Sequence, residues 1–216
     1  MSIKPELSER FLILEQRHTG EILRMRRVRG VDGHTVLVLE GSLPPGTSGP
    51  PLHVHVDSRE TILVKSGLLG VRIGREKFDV PPGKTVVAPA GVLHTWWNAG
   101  DEPLELSGRA VPASDTDRFI QALWAVVNAS SSGRPPIFYL AHVLWRHRRT
   151  QAVALPPKAV QRMVFPLILL LGTVLGKYRG TAWPGSPASC TGAPETVTRA
   201  PQSGGEHSEP FVMAAT

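Results

Sequence analysis

Four residues stand out for the chemistry they could perform together: His53, His55, Glu60 and His94. His53 and His55 form an HxH pair, and in an extended strand alternate side chains share a face, so both imidazoles can meet one ion. Asp57, Ser58 and Arg59 offer a turn, after which Glu60 opens the next run and can bring a carboxylate beside the pair. His94 lies on a later run that closure of a barrel would carry to the same point. Three neutral imidazoles and one carboxylate suit one divalent transition-metal ion, Fe, Mn, Ni, Cu or Zn, and the mixed N/O character disfavours Mg or Ca. The competing reading of an HxH pair followed by Glu is surface or packed histidines. The single cysteine, Cys190, excludes an intramolecular disulfide and a cysteine-based zinc cluster, so any metal must rely on His and carboxylates.

The elements that must position these groups follow from the pattern of apolar runs. From Arg10 to Val111 short β-rich runs alternate with turn residues, as in an all-β barrel or sandwich. Strands are expected at 11–16, 21–28, 34–40, 52–56, 60–65, 69–74, 84–88, 93–98 and 103–110. Gly67, Gly83 and Gly91 sit where tight turns need positive φ, Pro89 stiffens the approach to His94, and Asn98 is placed to tie a turn through its side chain. Ile62 and Val64 share the parity of Glu60, and Trp96 that of His94, so these three are expected to line an apolar, partly aromatic substrate pocket beside the metal. Trp96 as plain core filler is the alternative. No lysine or arginine falls on these inward positions, which favours a small apolar or aromatic molecule over a highly charged one.

After Pro112 the period changes to three and four. Ser114 or Asp115 can cap a helix running through Phe119, Ile120, Leu123, Trp124 and Val127. Residues 137–149 and roughly 157–178 read as two further helices, the last interrupted by Pro166, all three expected on the outside of the barrel. Residues 180–216 are rich in Pro, Gly, Ser, Thr and Ala without an apolar period and are expected to be a disordered tail. The chain thus divides into a β-barrel at 10–112, a helical, basic extension at 113–179 and the tail.

The spacing of the candidate ligands resembles the cupin superfamily. A first cupin motif of HxH, three or four residues, Glu, six residues and Gly is matched by His53, His55, Glu60 and Gly67. The second, G(x5)PxG(x2)H(x3)N, is matched by Gly83, Pro89, Gly91, His94 and Asn98 at every spacing. The 15 residues between the two resemble the spacing of small single-domain cupins. The glycine that should open the first motif falls at Thr47, between Gly46 and Gly49, so the turn there is left open. The resemblance implies a mainly β fold: a single jelly-roll-type barrel, here followed by about three C-terminal α-helices. It also implies a mononuclear metal site at His53, His55, Glu60 and His94, with Glu60 able to act as a base. A dioxygenase-like oxidoreductase is the activity it suggests first, with a metal-dependent isomerase or lyase, or a non-catalytic ligand-binding or sensor barrel, as alternatives. Cupins often resemble one another in forming homodimers by strand exchange, and a branch of them is similar in carrying three C-terminal helices.

Charge bears on partners. The chain carries a net +6, but residues 1–117 hold 14 Lys/Arg against 15 Asp/Glu, while residues 118–179 hold 9 against none. That basic, apolar segment, 118–179, could contact an anionic membrane surface; alternatively its apolar faces dock on the barrel and its basic faces meet water. The run of Arg146 to Arg149 is too short, and the barrel too neutral, for a nucleic-acid partner. The 14 uncharged residues between Arg162 and Lys177 fall short of the roughly 20 that span a bilayer and read as a buried helix. The first residues lack a basic-then-apolar leader, so a cytoplasmic location is expected, with membrane association open. His34, His142, His147 and His207 receive no role.

Overall fold

Alternation of apolar and polar residues builds two facing sheets. The computed structural model describes residues 11–180, 183–187 and 212–213. In chain order the strands are β1 (Leu12–Gln16), β2 (Glu21–Arg29), β3 (Thr35–Leu43), β4 (His53–His55), β5 (Arg59–Ser66), β6 (Leu69–Ile73), β7 (Glu76–Val80), β8 (Thr85–Ala88), β9 (His94–Asn98) and β10 (Leu104–Val111). Helices α1 (Thr116–Asn128) and α2 (Ile137–Arg146), strand β11 (Gln151–Val153), helix α3 (Lys158–Val174) and strand β12 (Val212–Met213) follow. One sheet runs β1-β2-β3-β10-β5-β8-β12 and the other β11-β4-β9-β6-β7. Glu60, Ile62 and Val64 of β5 and His94, Trp96 and Asn98 of β9 all turn inward, as their parity requires. Ile62, Val64 and Val86 from one sheet meet Leu69, Val71, Ile73 and Trp96 from the other in a single core, which makes the unit a jelly-roll barrel.

All nine expected strands form, with ends shifted by up to three residues. β7 escaped the sequence reading because EKFDV carries three charges in five residues; pairing with β6 through a turn at Gly74, φ +60°, makes it a strand. Gly67, Gly83 and Gly91 have φ of +79°, +77° and +76°. Asn98 donates through Nδ2 to the carbonyls of Leu43, Pro44 and Glu102, and its Oδ1 accepts from the Gly100 amide, so it ties the turn as expected.

The helices depart from expectation in four respects. Asp115 sits at the start of α1 but makes no capping bond; its carboxylate is taken by His147 Nδ1 at 2.6 Å and by the Thr150 hydroxyl. Ser114, at φ +47°, gives its hydroxyl to Asp57 and its carbonyl to Arg27. The tertiary tie outcompetes the local cap because it fastens α1 to the chain that follows α2. Second, α3 runs through Pro166 without a break: one N–H is lost, and the turns on either side continue. Third, α1 does not merely lie outside the barrel. A bidentate Arg27–Asp117 pair at 2.5 and 2.7 Å and a bond from Asn128 to the Glu15 carbonyl at 2.8 Å hold it across the barrel mouth. Fourth, α3 is not buried: only Phe165 and Gly172 are shielded along its length. Among the described residues no helix is long and apolar enough to cross a membrane. Most of the expected tail lies outside the described residues.

Candidate metal centre

Strand β4 presents His53 and His55 by the same alternation that shapes the barrel, β9 pairs His94 with His53, and β5 brings Glu60 beside them. The four donor atoms lie within 4.8 Å of one another. His53 Nε2 is 3.2 Å from His55 Nε2, Glu60 Oε2 is 3.2 Å from His94 Nε2, and His55 Nε2 is 3.8 Å from Glu60 Oε2. Ligands about 2.1 Å from one ion stand roughly 3 to 3.5 Å apart, so these separations fit a single divalent ion. The outer ring nitrogens are committed elsewhere. His53 Nδ1 donates to the Pro51 carbonyl and His94 Nδ1 to the Val92 carbonyl, each at 2.9 Å, which sets both tautomers with Nε2 turned toward the common centre.

The remaining polar balance also fits a cation. Burial lowers His53 to about 3, assisted by the neighbouring His94 and His55, so its ring stays neutral and ready to ligate. Burial likewise lowers His55. Burial alone would raise Glu60, but the hydrogen bond from His94 and the charges of the histidines outweigh it and hold the carboxyl at about 2. His94 is raised in turn: burial opposes its charge, and the bond and charge of Glu60 prevail. Glu60 is thus a buried carboxylate facing three imidazoles, and no Lys or Arg forms an ion pair with it among the described residues.

A support for His55 comes from the helical extension. β11 pairs with β4 in register Gln151 to His55, adding a strand beside the histidines. Gln151 donates Nε2 to the Thr116 hydroxyl at 3.0 Å, which leaves its amide oxygen for the His55 ring. The amide oxygen raises His55 against the effect of burial, although neither that oxygen nor His55 Nδ1 lies within hydrogen-bond geometry of a partner among the described residues. Nothing in the sequence marks Gln151, because a three-residue strand between helices carries no periodic signal.

Beside the ligands opens a cavity of about 410 Å³. His53, His55 and Glu60 lie on its wall; His94, 1% exposed, is sealed behind them. Of the three expected pocket residues, Ile62 and Trp96 line this cavity and Val64 does not: it is fully enclosed in the core, one step further along β5. The helices supply much of the wall, with Phe119, Leu123 and Trp124 from α1 and Leu140 and Leu144 from α2. Among the described residues no Lys or Arg lines it.

One lining residue, Glu21, was missed although it shares the parity of the buried Leu23 and Met25 on β2. Its side chain is 6% exposed and burial pushes it up to about 7. Between the ordinary 4.5 and that value the folded chain holds a proton the unfolded chain has released, so stability is full below 4.5 and declines as pH rises through 7. Glu21→Gln removes this dependence. In calorimetry the variant should gain on the native protein by up to about 3 kcal/mol between roughly pH 5 and pH 8. A gap that stays constant with pH would show the carboxylate to be charged and solvated throughout.

The jelly-roll barrel thus presents three histidines and a glutamate at one end of its core. Residues 31–107 match the family model of the cupin domain. No curated protein matches the chain. Among solved structures it is similar to TT1209 of Thermus thermophilus, at 27% identity over 41% of this chain and 83% of that one, TM-score 0.35. A conserved protein with a double-stranded β-helix domain from Klebsiella pneumoniae is 26% identical over 40% and 76%, TM-score 0.34. An oxalate decarboxylase of Lactobacillus farciminis is 21% identical over 49% and 31%, TM-score 0.38.

Proposed function

We propose that the protein is a metal-dependent enzyme, a dioxygenase-like oxidoreductase that acts on a small apolar or aromatic molecule held in the cavity. The observation that carries this reading is the continuity of an apolar cavity of about 410 Å³ with three of the four metal-ligating side chains. His53, His55, Glu60 and His94 would hold one Fe, Mn, Ni, Cu or Zn ion, which supplies Lewis-acid and, for the redox-active metals, electron-transfer chemistry. The residues of the chain do the rest. The Pro51 and Val92 carbonyls and Gln151 fix the imidazoles, and the apolar wall formed by Ile62, Trp96, Phe119 and Leu123 excludes water and accepts the body of the substrate. Glu60, should it release one oxygen, is placed to take a proton from a substrate on the cavity side. A lining without Lys or Arg among the described residues, holding Glu21 and Glu60, favours a neutral molecule over a sugar phosphate.

The test is oxygen uptake by protein loaded with Fe(II) or Mn(II), offered pentane-2,4-dione and simple dihydric phenols. Metal-dependent uptake that disappears in His94→Ala supports the reading. Saturable binding without turnover overturns it in favour of a sensor barrel, and product formed without oxygen overturns it in favour of an isomerase or lyase.

A further inference from the structure

We propose that the exposed apolar face of α3 seats the protein on an anionic membrane surface, with the helix lying in the plane of the interface. The face is defined by spacing and exposure together. Met163, Val164, Leu167, Leu170, Leu171 and Val174 recur at three and four residues, so they share one side of the helix, and all are exposed. Met163 is 73% exposed, Leu167 65% and Val174 71%. Soluble surfaces scatter such residues singly; an unbroken stripe of them marks a contact site.

The stripe is carried on a fixed element rather than a loose one. Phe165 is buried on the opposite side, and the Tyr178 ring lies so close over Gly172 that a Cβ there would meet it at 2.7 Å. The Tyr178 hydroxyl donates to the Phe138 carbonyl at 2.9 Å, which pins the end of α3 to the start of α2. The helix is therefore held by one side while the other faces outward.

Charge selects the occupant. Residues 118–179 contain nine Lys/Arg and no Asp/Glu, and exposed Lys158, Arg162, Lys177 and Arg179 flank the stripe at both ends. A second copy packed on this face would bring the same uncompensated positive charge against it. Anionic headgroups complement that charge, and the acyl region beneath them accepts the apolar side chains. Insertion across the bilayer is the wrong geometry, because 17 residues reach only about 25 Å against a core of about 30 Å.

Flotation of the full-length protein with vesicles tests this. It is expected to partition onto vesicles of equal parts phosphatidylcholine and phosphatidylglycerol and not onto phosphatidylcholine alone, with binding reduced at high salt. Leu167→Glu combined with Leu171→Glu should lower partitioning by more than about tenfold, since two apolar side chains leave the interface and two negative charges take their place. Arg162→Glu should lower it by roughly fivefold through charge alone. Both variants change exposed positions, and circular dichroism checks that they fold. No binding to anionic vesicles overturns the proposal. So does a concentration-dependent dimer that the double variant disperses without any vesicle binding, and so does binding that appears only after removal of residues 188–216.

Discussion

His53→Ala and His94→Ala should each yield protein without bound metal, whereas the unaltered chain, purified without added metal, should carry close to one equivalent of a divalent transition metal per chain. Elemental analysis reads this directly. The thermal counterpart is large: a metal supplied at about a hundred times its dissociation constant stabilises the fold by about 2.7 kcal/mol, or roughly 5 to 10 °C for a chain of this size. Neither alanine variant should show that shift. Without metal the two variants should differ from each other. His94 Nε2 stands 3.2 Å from Glu60 Oε2 and is raised by that carboxylate, so removing it strands a buried carboxylate beside two imidazoles that burial keeps neutral, at a cost of about 3 kcal/mol. His53 is neutral, and its loss leaves the Glu60–His94 pair intact, so metal-free His53→Ala should melt above metal-free His94→Ala. Gln151→Leu should behave differently from both, retaining the metal with affinity weakened by about 10- to 100-fold, as expected when a ligand loses the group that orients it. Metal that persists in both alanine variants would mean that the four residues are not its site.

How much of this was legible in the sequence depends on whether a feature is local. The parity of Glu60 with Ile62 and of His94 with Trp96 is fixed by the two-residue period of a strand, so the inward set follows from the order of residues alone. Asn98 and the glycines at 67, 83 and 91 were equally legible, because their turn chemistry is a property of a few neighbouring residues. Depth along the barrel was not. Val64 has the same parity as Ile62, yet one sits in the closed core and the other on the cavity wall. Glu21 showed the right parity without any sign that a cavity would face it. Gln151 and Asp115 depended on which distant chain arrives beside them, and for Asp115 a tertiary bond to His147 displaced the local cap that its position suggested. The periodicity of α3 identified residues that share a face, but periodicity does not say whether that face is covered.

The turn before His53 sets the second large effect. Two glycines flank Thr47, where the family pattern places its opening glycine, and both have positive φ: +71° at Gly46 and +61° at Gly49. On conformation alone the two are equivalent, each costing about 1 kcal/mol when replaced by alanine. Their surroundings differ. A Cβ on Gly46 meets nothing within 4 Å, whereas one on Gly49 would collide with the Trp96 carbonyl oxygen and stand 3.1 Å from its carbon and ring. That oxygen belongs to β9 and cannot turn aside as a side-chain tip could. The surrounding bonds leave little slack: the Thr47 carbonyl accepts from the Asn98 amide at 3.0 Å, and the Pro50 carbonyl accepts from the Thr95 hydroxyl at 2.6 Å. Gly49→Ala must therefore push residues 48–51 away from β9, and with them the Pro51 carbonyl that orients His53. It should cost about 3 kcal/mol or more in stability and weaken metal binding as well, while Gly46→Ala costs about 1 kcal/mol and leaves metal binding unchanged. Melting temperatures and metal titrations of the pair decide the matter. Equal behaviour of the two variants would show that the loop moves freely over β9 and that His53 is oriented without it. The expected inequality would assign the role of the motif's opening glycine to Gly49, two residues after the position the spacing indicated, because only there does the chain cross another backbone too closely for a side chain.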